Sequence, residues 1–157
     1  MSKHLNTRRA FLAGIASLSV YAPVAGPLLA ADWPEILVEK TPGCGCCSAW
    51  AKLARDAGFT VRMTENDDYE GMKQAAGVPE DLWSCHTARV GDYVVEGHVP
   101  FAAIKALLRD RPDIVGLSVP GMPNEAPGMA GGLNAQVPVT AWGGTAGTGA
   151  AFAYTAD

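Results

Sequence analysis

Residues 35–47 read EILVEKTPGCGCC, and their interpretation decides the fold. Glu35-Ile36-Leu37-Val38-Glu39 is a strand candidate, ended by Thr41-Pro42-Gly43. Three cysteines then fall within four positions, Cys44-Gly45-Cys46-Cys47. A helix follows from Cys46, because Trp50, Leu53, Ala54 and Ala57 recur at i, i+3, i+4 and i+7. Gly58 stops it. The thiols therefore stand where a strand hands over to a helix.

Working outward, the chain keeps alternating. Phe59-Thr60-Val61-Arg62-Met63 has the period of a strand. Asp67 or Asp68 can cap a second helix through Ala76, stopped by Gly77-Val78-Pro79. Thr87–Val90 and Tyr93–Gly97 flank Gly91-Asp92 as a hairpin with a two-residue turn. Pro100 opens a third helix with Phe101, Ile104, Leu107 and Leu108 inward. The order β-α-β-α-β-β-α predicts an α/β fold whose first βαβ unit holds a parallel pair. Beyond it come a methionine-bearing loop and a tail in which Val137–Trp142 and Ala150–Tyr154 flank Gly143–Gly149. That tail reads as a β-hairpin extension, with a flexible low-complexity end as the alternative.

The start of the chain sets the compartment. Lys3, then Thr7-Arg8-Arg9-Ala10-Phe11-Leu12, then an apolar run to Leu29 and small residues at Ala30-Ala31 describe a twin-arginine export signal over residues 1–31. A membrane anchor is the competing reading, but Pro23, Gly26 and Pro27 interrupt the run. Cleavage removes three of 12 Lys+Arg and none of 16 Asp+Glu, leaving a net charge of −7. Such an acidic domain argues against nucleic acid or an anionic membrane surface as partner. The expected organisation is a core over residues 32–112 with residues 113–157 as an extension of the same domain. The expected compartment is the periplasm, where disulfides persist.

Element order and lengths resemble the thioredoxin/glutaredoxin fold, which places a Cys-X-X-Cys between its first strand and first helix. Cys44 and Cys47 match that dithiol and are the redox candidates. In the resembling fold the loop before the third strand lies against the dithiol and usually carries a cis-proline. Here that loop is Trp83-Ser84-Cys85-His86-Thr87, with no proline and a fourth cysteine. The resemblance therefore implies that Cys85 lies beside Cys44, Cys46 and Cys47.

Thiols at a helix N-terminus meet free N–H groups and the positive end of the helix dipole, which favour thiolate. Soft thiolates select Cu(I), with zinc and iron–sulfur chemistry as competitors. Zinc sites usually show separated Cys-X-X-Cys pairs or Cys/His knuckles, and ferredoxin spacings are absent. A bridged multinuclear copper(I)–thiolate site suits Cys44, Cys46, Cys47 and Cys85 better. Structural disulfides are the bland alternative, although a Cys44–Cys47 bridge closes a loop too small to add much stability. Pro120-Gly121-Met122 and Pro127-Gly128-Met129 put two thioethers on a loop, as additional Cu(I) ligands or as packing. His86, beside Cys85, is a candidate ligand or ligand-orienting residue. His98 reads as a helix-entry or surface residue, with a copper role as the alternative. Trp50 and Trp83 read as core, both able to roof the sulfurs.

Lys40–Cys47, Ala57-Gly58-Phe59, Gly77-Val78-Pro79, Ser84-Cys85-His86-Thr87, Tyr93–Pro100 and Val119–Pro123 with Pro127-Gly128-Met129 together resemble the small periplasmic CopG-type copper-resistance proteins. The resemblance implies a thioredoxin-like fold, copper held by Cys44, Cys46, Cys47 and Cys85, and a role in copper tolerance with Cu(I)/Cu(II) redox chemistry. Copper ions, and another periplasmic copper-handling or redox protein, are the implied partners. A thiol–disulfide oxidoreductase is the alternative function and a structural zinc module the weaker one.

Overall fold

The computed structural model describes residues 32–155, so the export signal expected over residues 1–31 lies outside the described residues. Strand β1 (Ile36–Lys40) alternates buried and exposed side chains and is sandwiched in a sheet. It runs parallel to β2 (Val61–Glu65) and antiparallel to β3 (His86–Val90). Between β1 and β2 lies α1 (Gly45–Asp56), which buries Cys47, Trp50, Ala51 and Ala54. These four repeat the i, i+3, i+4, i+7 spacing, one turn earlier than the sequence reading placed it. Strand β2 starts later than Phe59, because the Gly58 and Phe59 amides turn back to close the helix on the Arg55 and Ala54 carbonyls.

Helix α2 (Tyr69–Ala75) is capped by Asp68, whose carboxylate accepts from the Gly71 amide at 2.9 Å. A 3₁₀ turn over Glu80–Leu82 then leads to β3. Strand β4 (Tyr93–Glu96) completes the expected hairpin, and α3 (Phe101–Asp110) follows from Pro100. Three further strands extend the sheet: β5 (Gly116–Ser118), β6 (Thr140–Trp142) and β7 (Ala150–Ala151). Strands β6 and β7 form the expected tail hairpin, which adds to the sheet edge through β5. Strand β5 has only three residues, too few to show a period, and is created by its parallel pairing with β4. The final order is β2-β1-β3-β4-β5-β6-β7, a mixed α/β architecture.

The sheet separates two sets of side chains, as the two-residue period demands. Ala88, Val90, Tyr93 and Val95 face the main core with Trp50, Phe101, Ile104 and Leu107 of α1 and α3. Val94 points the other way, to a smaller cluster with Val78, Leu82 and Trp142. Thr87 and Glu96 are opposite one another in the β3–β4 register and share that second face with Val94. Hence the start of β3 is a seam: His86 looks toward Trp50, and Thr87 looks away from it.

Candidate metal centre

Cys44 is the N-cap of α1, and its sulfur accepts from the Cys47 amide at 3.4 Å. The helix start therefore holds the Cys44 sulfur with a free amide of its own first turn. Cys47 is buried and Cys44 and Cys46 are half-buried, so one side of the cluster opens to solvent. Cys85 arrives from the opposite direction, from the residue before β3. Its sulfur lies 3.9 Å from that of Cys46, and the Cys47 sulfur reaches the Cys85 carbonyl at 3.7 Å. One sulfur from each of Cys44, Cys46, Cys47 and Cys85 falls within 4.8 Å of the others. The expected gathering of four sulfurs, from positions as far as 41 apart in the chain, is thus what the fold delivers.

Two of these sulfurs are bonded to each other: Cys44 and Cys47 form a disulfide with Cα atoms 5.5 Å apart. Cys46 and Cys85 are free thiols. As described, the cluster offers two thiols to a metal, and a two-electron reduction would release the other two. Burial, then the neighbouring Cys46, push the Cys85 thiol up to about 12. Alkylation of metal-free Cys85 by iodoacetamide at pH 8 is therefore expected to run about a thousandfold slower than for a free cysteine of ordinary pKa. The rate should climb about tenfold per pH unit between pH 7 and 10. Peptide mass spectrometry checks this, and a flat profile would contradict it.

Imidazoles complete the donor set. His98, read from the sequence as a helix-entry or surface residue, is instead fully buried against Cys85, with Nε2 2.8 Å from its sulfur. Its Nδ1 lies 2.6 Å from the Pro127 carbonyl. A carbonyl only accepts, so Nδ1 carries the proton and Nε2 presents its lone pair to the sulfurs. Burial lowers the pKa of His98 and, more strongly, of His86, which keeps both rings neutral and able to ligate. His86 Nδ1 is 3.5 Å from the Cys85 sulfur, while its Nε2 is buried without a hydrogen-bond partner. Cys85, His86 and His98 form a second overlapping donor triad.

The Pro-Gly-Met units serve the centre through their glycines and carbonyls. Gly121 pairs with Ser84 in an isolated bridge, and Ser84 Oγ donates to its carbonyl. Pro127 supplies the acceptor for His98. Met122 is 58% exposed, and Met129 is half-buried against the main core. Trp50 is fully buried, its ring centroid 4.8 Å from that of His86, so it forms the inner wall. Trp83 is half-buried in the smaller cluster, donating to the Val78 carbonyl at 3.0 Å.

Fold and centre together define a class: small mixed α/β proteins carrying a cysteine cluster capable of binding metal at the start of their first helix. Residues 82–129 match a family described as "Protein of unknown function, DUF411". Two solved structures titled copper resistance protein CopG, forms 1 and 2, are each 37% identical to this chain. The first aligns over 79% of this chain and 99% of its own with a TM-score of 0.68. The second aligns over 78% and 98% with a TM-score of 0.69. No curated protein matches the chain. The chain belongs to the CopG-type copper-resistance family.

Among the described residues no helix is long and apolar enough to cross a membrane.

Proposed function

We propose that this chain is a periplasmic copper-tolerance protein that holds Cu(I) on the thiolates of Cys44, Cys46, Cys47 and Cys85 in a multinuclear cluster. The observation that carries the reading is the convergence of four sulfurs within 4.8 Å, with the His98 lone pair aimed at the same point. Thiolate and imidazole are soft to intermediate donors, and Cu(I) accepts the bridging sulfur geometry that adjacent Cys46 and Cys47 require. His86 and the thioethers of Met122 and Met129 are further donors in this reading. Copper is cargo here, taken up after reduction of the Cys44–Cys47 disulfide. Reoxidation of that pair could return two electrons to two Cu(II) ions, giving two Cu(I), one disulfide and two protons. The periplasmic assignment rests on the twin-arginine pattern at Arg8-Arg9.

The disulfide at the start of α1 also favours a second reading, a thiol–disulfide oxidoreductase using Cys44 and Cys47. Metal analysis of protein exported from copper-supplemented cells separates the two. More than one copper per chain supports the copper reading. A metal-free protein that catalyses reduction of a model disulfide, with activity lost in Cys44→Ser, supports the second and refutes the first.

A further inference from the structure

The segment that carries Cys85 is held from the far side of the sheet. Strand β3 begins only at His86, and Ser84 makes a single bridge to Gly121. Other groups must therefore fix the backbone around Cys85. The Ser84 amide donates to Glu96 Oε1 at 2.6 Å, and the Ser84 carbonyl accepts from the Tyr69 hydroxyl at 2.7 Å. Glu96 is fully buried, as is Lys73, whose Nζ donates to Glu96 Oε1 at 2.7 Å. Thr87 Oγ1 donates to the other carboxylate oxygen at 2.7 Å and accepts from Lys73 at 3.3 Å. The Lys73 ammonium also sits 4.5 Å from the centroid of the Tyr69 ring. Tyr69 and Lys73 are four residues apart on α2, so one helix face supplies both.

Stability alone is a poor explanation for this arrangement. Replacing a buried ion pair by apolar side chains of similar volume is often neutral or stabilising. Burial raises the Glu96 pKa, and the bonds from Lys73, Thr87 and Ser84 oppose that rise. Both hydrogen-bond chains end on Ser84, and the next residue is the one whose sulfur must meet Cys46 and His98.

We propose that Glu96 and Lys73 are positioning residues for the sulfur centre, setting through Ser84 where the Cys85 sulfur stands relative to Cys46. This rests on the reading of Cys85 as a metal-holding sulfur, yet the geometry can be measured without metal. Phenylarsine oxide condenses with two neighbouring thiols to a cyclic dithioarsenite and water. With Cys44–Cys47 oxidised, Cys46 and Cys85 are the free pair.

The test measures phenylarsine oxide affinity and Cu(I) titration on the full chain. Glu96→Ala is expected to weaken arsenical binding at least tenfold, while Glu96→Gln, which retains an acceptor for the Ser84 amide, stays within threefold of wild type. In the Cu(I) titration, Glu96→Ala combined with Cys85→Ser should lose no more than Cys85→Ser alone. A folded Glu96→Ala chain that binds the arsenical like wild type, or a fully additive loss in the double variant, overturns the proposal. If Glu96→Ala does not fold, Lys73→Met decides: an at least tenfold loss of arsenical affinity in the folded chain supports positioning, and an affinity within threefold of wild type overturns it. A wild-type chain that takes the arsenical but no Cu(I) refutes the copper reading alone, and the arsenical series then decides the positioning role.

Discussion

Cys85→Ser is expected to weaken Cu(I) binding by more than a hundredfold in competition with a chromophoric chelator, after reduction of the Cys44–Cys47 disulfide. The size follows from where the sulfur stands. It is 3.9 Å from Cys46, 2.8 Å from His98 Nε2 and 3.5 Å from His86 Nδ1, so it joins the helix-borne thiols to the imidazoles. Loss of a group that merely orients a ligand costs about 10–100-fold in metal affinity, and loss of the ligand itself should exceed that. A hundredfold corresponds to about 2.7 kcal/mol. His98→Gln removes the imidazole that holds the Cys85 sulfur at 2.8 Å but leaves all four sulfurs, so its cost falls in the range for an orienting group, about tenfold. The order matters as much as the sizes. If Cys85→Ser matched wild type, or if His98→Gln were the more damaging change, the sulfur-bridged seat would be refuted.

His98 shows where a linear reading and the folded register part. The Gly91-Asp92 turn fixes the hairpin register, pairing Val90 with Tyr93 and Thr87 with Glu96. Continuing the same register two residues past Thr87 and Glu96 places Cys85 across from His98. The signal is therefore in the sequence, but Pro100 two residues on makes this strand-end histidine read as a helix entry, with a copper role only as the alternative. Gly97 helps to make the continuation possible: it has φ +73°, and a Cβ there would run into the Ser84 side chain and the Val119 carbonyl. The cysteines were legible because three of them crowd a helix start and fold resemblance supplied the fourth. The Lys73–Glu96 pair carried no such signal. A lysine on a short helix and a glutamate in a strand look solvated in a linear reading, and only the contact between α2 and the underside of the sheet buries them. Strand β5 was hidden for a related reason, since its pairing with β4 comes from tertiary contact rather than from periodicity.

The Met loop is legible in composition but not in purpose, and Gly128 gives its purpose a test. Gly128 has φ +82°, and a Cβ on it would stand 2.6 Å from the Trp50 amide nitrogen and 2.8 Å from the Trp50 Cα. Those atoms belong to the backbone of α1 and cannot move aside as a flexible side chain would. Gly128→Ala thus combines a left-handed backbone with overpacking, each worth about 1–3 kcal/mol. The expected loss is about 3 kcal/mol, or a Tm lower by roughly 10 °C for a domain of this size. The centre should feel the change as well. Pro127, one residue earlier, holds the His98 ring through Nδ1 at 2.6 Å, so pushing the loop off α1 frees that ring to turn away from Cys85. Cu(I) affinity is accordingly expected to fall by about the tenfold assigned to His98→Gln. Gly132→Ala is the control, since a Cβ there meets nothing within 4 Å, and its Tm and Cu(I) affinity should stay near wild type. A Gly128→Ala chain that melts and binds like Gly132→Ala would show that the loop neither braces α1 nor aims His98.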